Sequence, residues 1–155
     1  MTWTFDLDRF VQAQDPVLDQ VRQELRDGRK CSHWMWFVFP QLRGLGRSPM
    51  ARYYAIASRD EAEAYLDHPV LGPRLIECTT LVYRIDGRSI AQIFGSPDDL
   101  KFHSSMTLFS LMPPAPPIFR DVMLKYFRGV PDPLTADALA MPIVGDLPAS
   151  QRREG

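Results

Sequence analysis

Cysteine is scarce in this chain: Cys31 and Cys78 are the only two. They are too few and too far apart for a disulfide framework, a C-x-x-C redox pair or a thiolate metal site, and free thiols in a reducing compartment are the expectation. Histidine is scarce as well. His33, His68 and His103 match no ligand spacing, so no metal is expected, nor any other cofactor. No apolar run approaches the ~18 residues that span a bilayer, and residues 1–6 have neither the basic nor the apolar region of a signal peptide. These absences point to a cytoplasmic protein without a membrane partner. Net charge is missing too. Eighteen basic side chains stand against nineteen acidic ones, for a balance of -1, so there is no overall field to draw nucleic acid, and no nucleic-acid partner is expected. Clean polar–apolar alternation is almost absent, which argues against a sheet. The glycine-bearing loop Arg43-Gly44-Leu45-Gly46-Arg47 lacks the G-x-x-x-x-G-K-[ST] pattern of a phosphate loop.

What is present is a chain of 155 residues, 45% hydrophobic and 24% charged, ordinary for one soluble globular domain. Helix start and stop signals recur along it. Asp6 reads as an N-cap with Phe5 and Phe10 as a hydrophobic staple. Asp15-Pro16 reads as the start of a second helix, with Val17, Leu18, Val21 and Leu25 on its apolar face and Gly28 as its stop. Ser48-Pro49 opens a helix expected to run through Ile56, and Ser58 to Glu61 is a capping box. Asp67 or His68 caps a helix whose inner face is Leu71, Leu75, Cys78, Thr79 and Val82. Ser89 opens a short helix over 90–94, and Ser96-Pro97 opens a longer one through Leu111. Pro113 to Pro117 is a stiff extended connector. A further amphipathic helix covers 118–127, stopped by Gly129, and Thr135 caps a last turn.

The fold expected from these signals is an all-α, compact single domain, a multi-helix bundle over residues 5–140. Residues 141–155 have little apolar content to bury and are expected to form a largely disordered tail.

The most hydrophobic stretch is the run His33-Trp34-Met35-Trp36-Phe37-Val38-Phe39. Seven large residues in a row do not separate a 3.6 period from a 2.0 period. Ser32 is a helix-capping residue and Pro40 a helix stop, which favours a buried central helix. The β-propensity of Trp, Phe and Val keeps a strand as the alternative.

This run, extended to Lys30 and Gln41, resembles a known family when taken with Gly95-Ser96-Pro97-Asp98-Asp99-Leu100-Lys101-Phe102-His103-Ser104-Ser105-Met106-Thr107-Leu108-Phe109. Gly44 to Ser48 and His68 to Gly72 match as well. The chain is similar, over roughly residues 5 to 130, to the bacterial domain-of-unknown-function family 1810, whose members sometimes carry the label calpastatin. The resemblance implies an all-helical domain of unusual topology. It implies no established reaction and carries over no catalytic residue.

Candidate chemistry therefore rests on the residues alone. His33 is the candidate catalytic acid or base, with a structural hydrogen-bonder as the alternative. Lys30 and Ser32 flank it. Trp34 and Trp36 can stack on a planar ligand or pack in the core; on a helix they point about 200° apart, so one pocket can use only one of them. Gln41 can read a ligand's polar edge or satisfy the carbonyls at a helix end. Lys101, Ser104 and Ser105 stand at i, i+3 and i+4 and are expected to share a helix face, an arrangement that suits an anion, whereas His103 is expected to point away into solvent. Asp98 and Asp99 read as helix-start carboxylates. Arg52, Tyr53 and Tyr54 border a possible pocket or belong to an exposed amphipathic helix, and Arg22, Arg26, Arg29 and Lys30 form a modest basic stripe.

The expected partner is an unidentified small polar or phosphate-bearing molecule, held between residues 30–41 and the 97–111 helix, with turnover by His33 if there is any. The alternative is a non-enzymatic interaction module using an exposed aromatic or apolar patch around the Pro113–Pro117 connector. Nothing in the sequence states the oligomeric state.

Overall fold

The structure is a computed structural model, and it describes residues 5–140. Residues 141–155, where a disordered tail is expected, lie outside the described residues. Ten helices make up the described chain: α1 (Asp8–Gln14), α2 (Leu18–Arg26), α3 (Met35–Val38), α4 (Pro49–Tyr53), α5 (Arg59–Asp67), α6 (Leu71–Tyr83), α7 (Ile90–Phe94), α8 (Asp98–Ser110), α9 (Pro117–Phe127) and α10 (Pro133–Ala140). The described residues contain no strand. One isolated parallel bridge joins Leu42 to Ile56. The protein is all-α and compact.

The central element is α8, not the aromatic run. Phe102 and all six residues from Ser104 to Phe109 are buried. A helix that is apolar or small-polar on every side has to be surrounded, and α3, α5, α7, α9 and α10 all pack on it. Its small hydroxyl residues are absorbed by neighbours. The Asp132 carboxylate accepts from Ser104 Oγ (3.1 Å) and caps α10 through Thr135 N (3.1 Å), while Asp132 N donates to Thr107 Oγ1 (2.9 Å). The last helix is thus started by Asp132; Thr135 sits inside it as a donor to that cap.

The aromatic run forms a single helical turn. Ser32 does not cap it, because its N–H and hydroxyl both go to the Glu24 carboxylate. Trp34 and Phe39, at the ends of α3, have non-helical backbone angles. Phe39 then packs edge-on against Phe94 (6.0 Å between centroids) and Phe102 (5.0 Å), and Phe94 stacks on Phe102 (4.7 Å). Three aromatic rings from the run, α7 and α8 meet at favourable separations.

Several helix starts differ from the expected ones for similar reasons. Asp6 makes no cap; Leu7 holds that position. Asp15 ends α1 and pairs with Arg74 (2.8 Å), so α2 begins only at Leu18. Pro97, not Ser96, precedes α8. The Ser48 helix stops at Tyr53, because Ile56 N is drawn to Gln41 O (2.8 Å) in the bridge. Other signals hold. Ser89 and Gln92 form a complete capping box on α7. Ser58 caps α5 through Glu61 N, but the Glu61 carboxylate takes the Ala57 N–H (2.7 Å) and an Arg9 ion pair (3.1 Å). His68 Nδ1 accepts from Val70 N and Leu71 N at the start of α6. Helices α5 and α6 meet so closely at Gly72 that a Cβ there would lie 2.1 Å from Leu66 O; only glycine fits.

Candidate functional site

A cleft opens where residues 35–42 pass the first turns of α8. Met35, Trp36, Phe39, Gln41 and Leu42 form one wall. Gly46, Ala51 and Tyr54 come from the loop and helix that follow, and Lys101 comes from α8. The free volume of the cleft is about 10 Å³, room for roughly one water.

Lys101 is placed by its neighbours. Its Nζ lies 5.2 Å from the Trp36 ring centroid and 3.5 Å from Asp98 Oδ1, one turn earlier on α8. The other oxygen of Asp98 is engaged more closely by Lys30 Nζ, at 2.8 Å. Lys30 in turn sits 5.1 Å from the Trp34 ring centroid. Two ammonium groups thus share one carboxylate, and each covers one tryptophan face in cation–π geometry. The cluster carries a surplus positive charge, and the looser partner is Lys101, at the cleft.

Apart from Lys101, the donors on the lining side chains have no hydrogen-bond partner among the described residues. Trp36 Nε1 is buried with no hydrogen-bond partner among the described residues, a costly arrangement for an indole N–H. The Gln41 side-chain amide bonds to nothing among the described residues, although its backbone carbonyl holds Ile56. Burial pushes the Tyr54 hydroxyl above its usual range, with Tyr53 adding to the shift and Arg9 opposing it, so it stays a protonated donor. Lys101, Trp36, Gln41 and Tyr54, each carrying a donor, therefore line a cleft with no carboxylate in its lining.

The remaining sequence candidates are placed elsewhere or spent on structure. Ser32 and Trp34 serve the Glu24 carboxylate, which accepts from Cys31 N (2.6 Å), Ser32 N (3.0 Å), Ser32 Oγ, Trp34 Nε1 (3.0 Å) and Gln20 Nε2 (2.8 Å). Burial alone raises a carboxylate's pKa. Here hydrogen bonds from the Ser32 hydroxyl, Cys31 N, Gln20 and Ser32 N outweigh it and bring Glu24 down to about 2. Ser104 belongs to Asp132. Ser105 is wholly buried, its hydroxyl without a partner among the described residues, and it does not line the cleft. The face expected to join Lys101 to both serines is thus divided between the cleft, α10 and the core. His103 is not solvent-directed: its ring stacks on Phe127 (4.0 Å, 8°) and Nε2 meets Val130 O at 2.8 Å. His33 is exposed and outside the cleft lining. Asp98 does more than start a helix, since it bridges the two lysines. Cys31 is an exposed free thiol; burial pushes the Cys78 thiol up to about 12 and keeps it inert. Among the described residues no group of three metal-ligating side chains comes together, and no helix is long and apolar enough to cross a membrane. The aromatic run exposes no patch: Trp34, Phe37 and Phe39 are buried, and only Trp36 is half-buried.

Residues 4–139 match the family described as "Protein of unknown function (DUF1810)". The chain belongs to that family. The DUF1810 chain is also similar to a crystal structure, the conserved hypothetical protein Rv1873 from Mycobacterium tuberculosis. The identity is 58%, the match covers 89% of this chain and 99% of that one, and the TM-score is 0.87. No curated protein matches.

Sequence reasoning missed three buried polar groups in this DUF1810 fold: Gln14, Glu24 and Glu61. The signal for two of them was there. Gln14 stands four residues after Phe10, and Glu24 stands seven after Val17 and three after Val21, so each lies on its helix's apolar stripe. Gln14 Nε2 donates to Phe37 O (2.6 Å) and Tyr65 Oη (3.1 Å), tying α1 to α3 and α5.

Proposed function

We propose that this protein binds a small anionic, phosphate-bearing ligand in the cleft between residues 30–41 and α8. The observation that carries the reading is the Lys30–Asp98–Lys101 cluster. One carboxylate between two ammonium groups leaves Lys101 under-neutralised, in a cleft it shares with Trp36 and Gln41, whose side-chain donors have no partner among the described residues. Unsatisfied buried donors destabilise a fold by about 1–3 kcal/mol each unless something accepts from them. An acceptor-rich anion fits both the charge and the donors.

Lys101, Trp36 and Gln41 are the residues assigned to the ligand, with Lys30 and Asp98 positioning Lys101. The small free volume limits what enters. A phosphate oxygen enters the cleft, and the body of the ligand stays outside it. His33, exposed and outside the lining, receives no role, and the reading is one of binding without turnover.

Titration with inorganic phosphate, followed by tryptophan fluorescence, tests this. We expect a saturable change in emission that disappears in Trp36→Phe. Lys101→Met is expected to weaken binding about tenfold or more, as loss of a charge-assisted contact does. Wild-type emission that stays flat up to high phosphate would sink the reading, as would an unchanged affinity in Lys101→Met.

A further inference from the structure

We propose that the ligand carries a diphosphate group rather than a single phosphate, gripped by Lys101 in the cleft and by Arg47 and Arg52 on its rim. The proposal rests on the reading just given and names the ligand class of the same cleft. Its starting point is the charge pattern of residues 28–59. Six of the eighteen cations fall in this span and none of the nineteen carboxylates. In a chain with a balance of -1, that is a local field where there is no global one.

The structure shows how these cations are used. Lys30 is paired with Asp98, and Arg59 donates to Leu111 O. Arg43, Arg47 and Arg52 are exposed and have no carboxylate or carbonyl partner for their guanidinium groups among the described residues. Each directly follows a residue of the cleft lining: Leu42, Gly46 and Ala51. The loop is folded tightly on itself there. A Cβ on Gly46 would lie 2.6 Å from the Ala51 Cβ and 3.9 Å from its Cα. With consecutive Cα atoms about 3.8 Å apart, this holds the Arg47 and Arg52 Cα atoms within about 13 Å of one another.

The loop's base is equally defined. Arg43 N donates to Ile56 O (2.7 Å), and the Arg9 guanidinium holds Tyr53 O (2.9 Å) and Ala55 O (3.0 Å). Arg9 itself is neutralised by Glu61. The carboxylates nearest in sequence to Lys101 do not cancel the rim. Asp98 is already shared by two lysines, and Asp99 Oδ1 takes the Leu100 N–H (2.9 Å). The cleft admits little more than one phosphate oxygen, so a second phosphate is left outside it, and the exposed Arg47 and Arg52, each next in sequence to a lining residue, are the cations we assign to it. Planar guanidinium groups bind phosphate bidentately.

The test compares orthophosphate, inorganic pyrophosphate and ADP on the full chain by isothermal titration calorimetry. We expect pyrophosphate to bind about tenfold or more tightly than orthophosphate. In the double variant Arg47→Gln/Arg52→Gln this advantage should fall below about threefold, with the orthophosphate affinity nearly kept; Arg47→Lys/Arg52→Lys should restore part of it. ADP binding as well as pyrophosphate assigns a nucleotide source; ADP binding much more weakly assigns free polyphosphate. Equal wild-type affinities for orthophosphate and pyrophosphate overturn the diphosphate assignment and leave the cleft reading intact. So does a pyrophosphate advantage that survives in the Gln variant. If neither anion binds, the cleft reading falls and this proposal with it.

Discussion

Trp34 and Trp36 are two residues apart, and each has a lysine on its face, at 5.1 and 5.2 Å. Their surroundings are opposite. The Trp34 indole is fully buried and its N–H donates to Glu24, whose carboxylate collects four further donors. The Trp36 N–H is buried and donates to nothing among the described residues. Lys30 is held at 2.8 Å by Asp98, whereas Lys101 is left at 3.5 Å from the same carboxylate. One neighbourhood has a partner for every polar group and behaves as framework. The other has donors without acceptors, the condition in which a folded protein has something left to bind.

Glu24→Ala removes the acceptor from the Trp34 indole, the Ser32 hydroxyl and two backbone N–H groups at once. We expect a loss of about 3 kcal/mol or more in urea unfolding, since each stranded buried donor costs about 1–3 kcal/mol; a loss under 1 kcal/mol means the carboxylate is not the organising group.

The same group gives a pH signature. Glu24 is held down to about 2 against 4.5 when free, so its stabilisation is fully present above about pH 4.5 and is lost as pH falls toward 2. The difference corresponds to about 3 kcal/mol at most. Unfolding free energies measured from pH 6 to pH 2.5 should show this slope, and Glu24→Gln should flatten it.

The tryptophans themselves make the smallest and sharpest contrast. Trp34→Phe removes a hydrogen bond to a charge, at about 1.5–3 kcal/mol. Trp36→Phe removes an N–H that has no partner, so thermal melts should move little or even upward. Equal destabilisation by the two changes would erase the distinction drawn between the two sites.

How much of this the sequence discloses depends on the range of the interaction. Ser89 with Gln92, and Ser48 with Ala51 N, are local caps closed within three residues, and they read correctly from spacing alone. Asp15 and Ser32 carry equally good capping chemistry and fail, because Arg74 and Glu24 compete for them from elsewhere in the fold. The aromatic run was expected to be the central helix. Yet Ser32 N, Cys31 N and the Trp34 indole all bind Glu24, and that pulls residues 31–34 out of helical geometry and leaves one turn. Of the site candidates, Trp36, Gln41 and Lys101 meet at the cleft, while Ser32, Trp34, Ser104 and Ser105 are engaged or enclosed elsewhere. The spacing of Lys101, Ser104 and Ser105 places them on neighbouring positions of α8. It does not say that α8 is surrounded, so that each position faces a different partner.

Composition and periodicity by themselves determined that this chain is helical, because hydrophobic spacing and local capping act within a few residues and need no tertiary context. They also marked the residues carrying usable chemistry, since side-chain identity is a property of sequence. Packing across the fold set which helix is central and which of two tryptophans two residues apart is satisfied. It also decided that Asp98 stands between Lys30 and Lys101, leaving one cation in excess. Those outcomes depend on which acceptor reaches which donor across dozens of residues, and that is set by packing rather than by spacing.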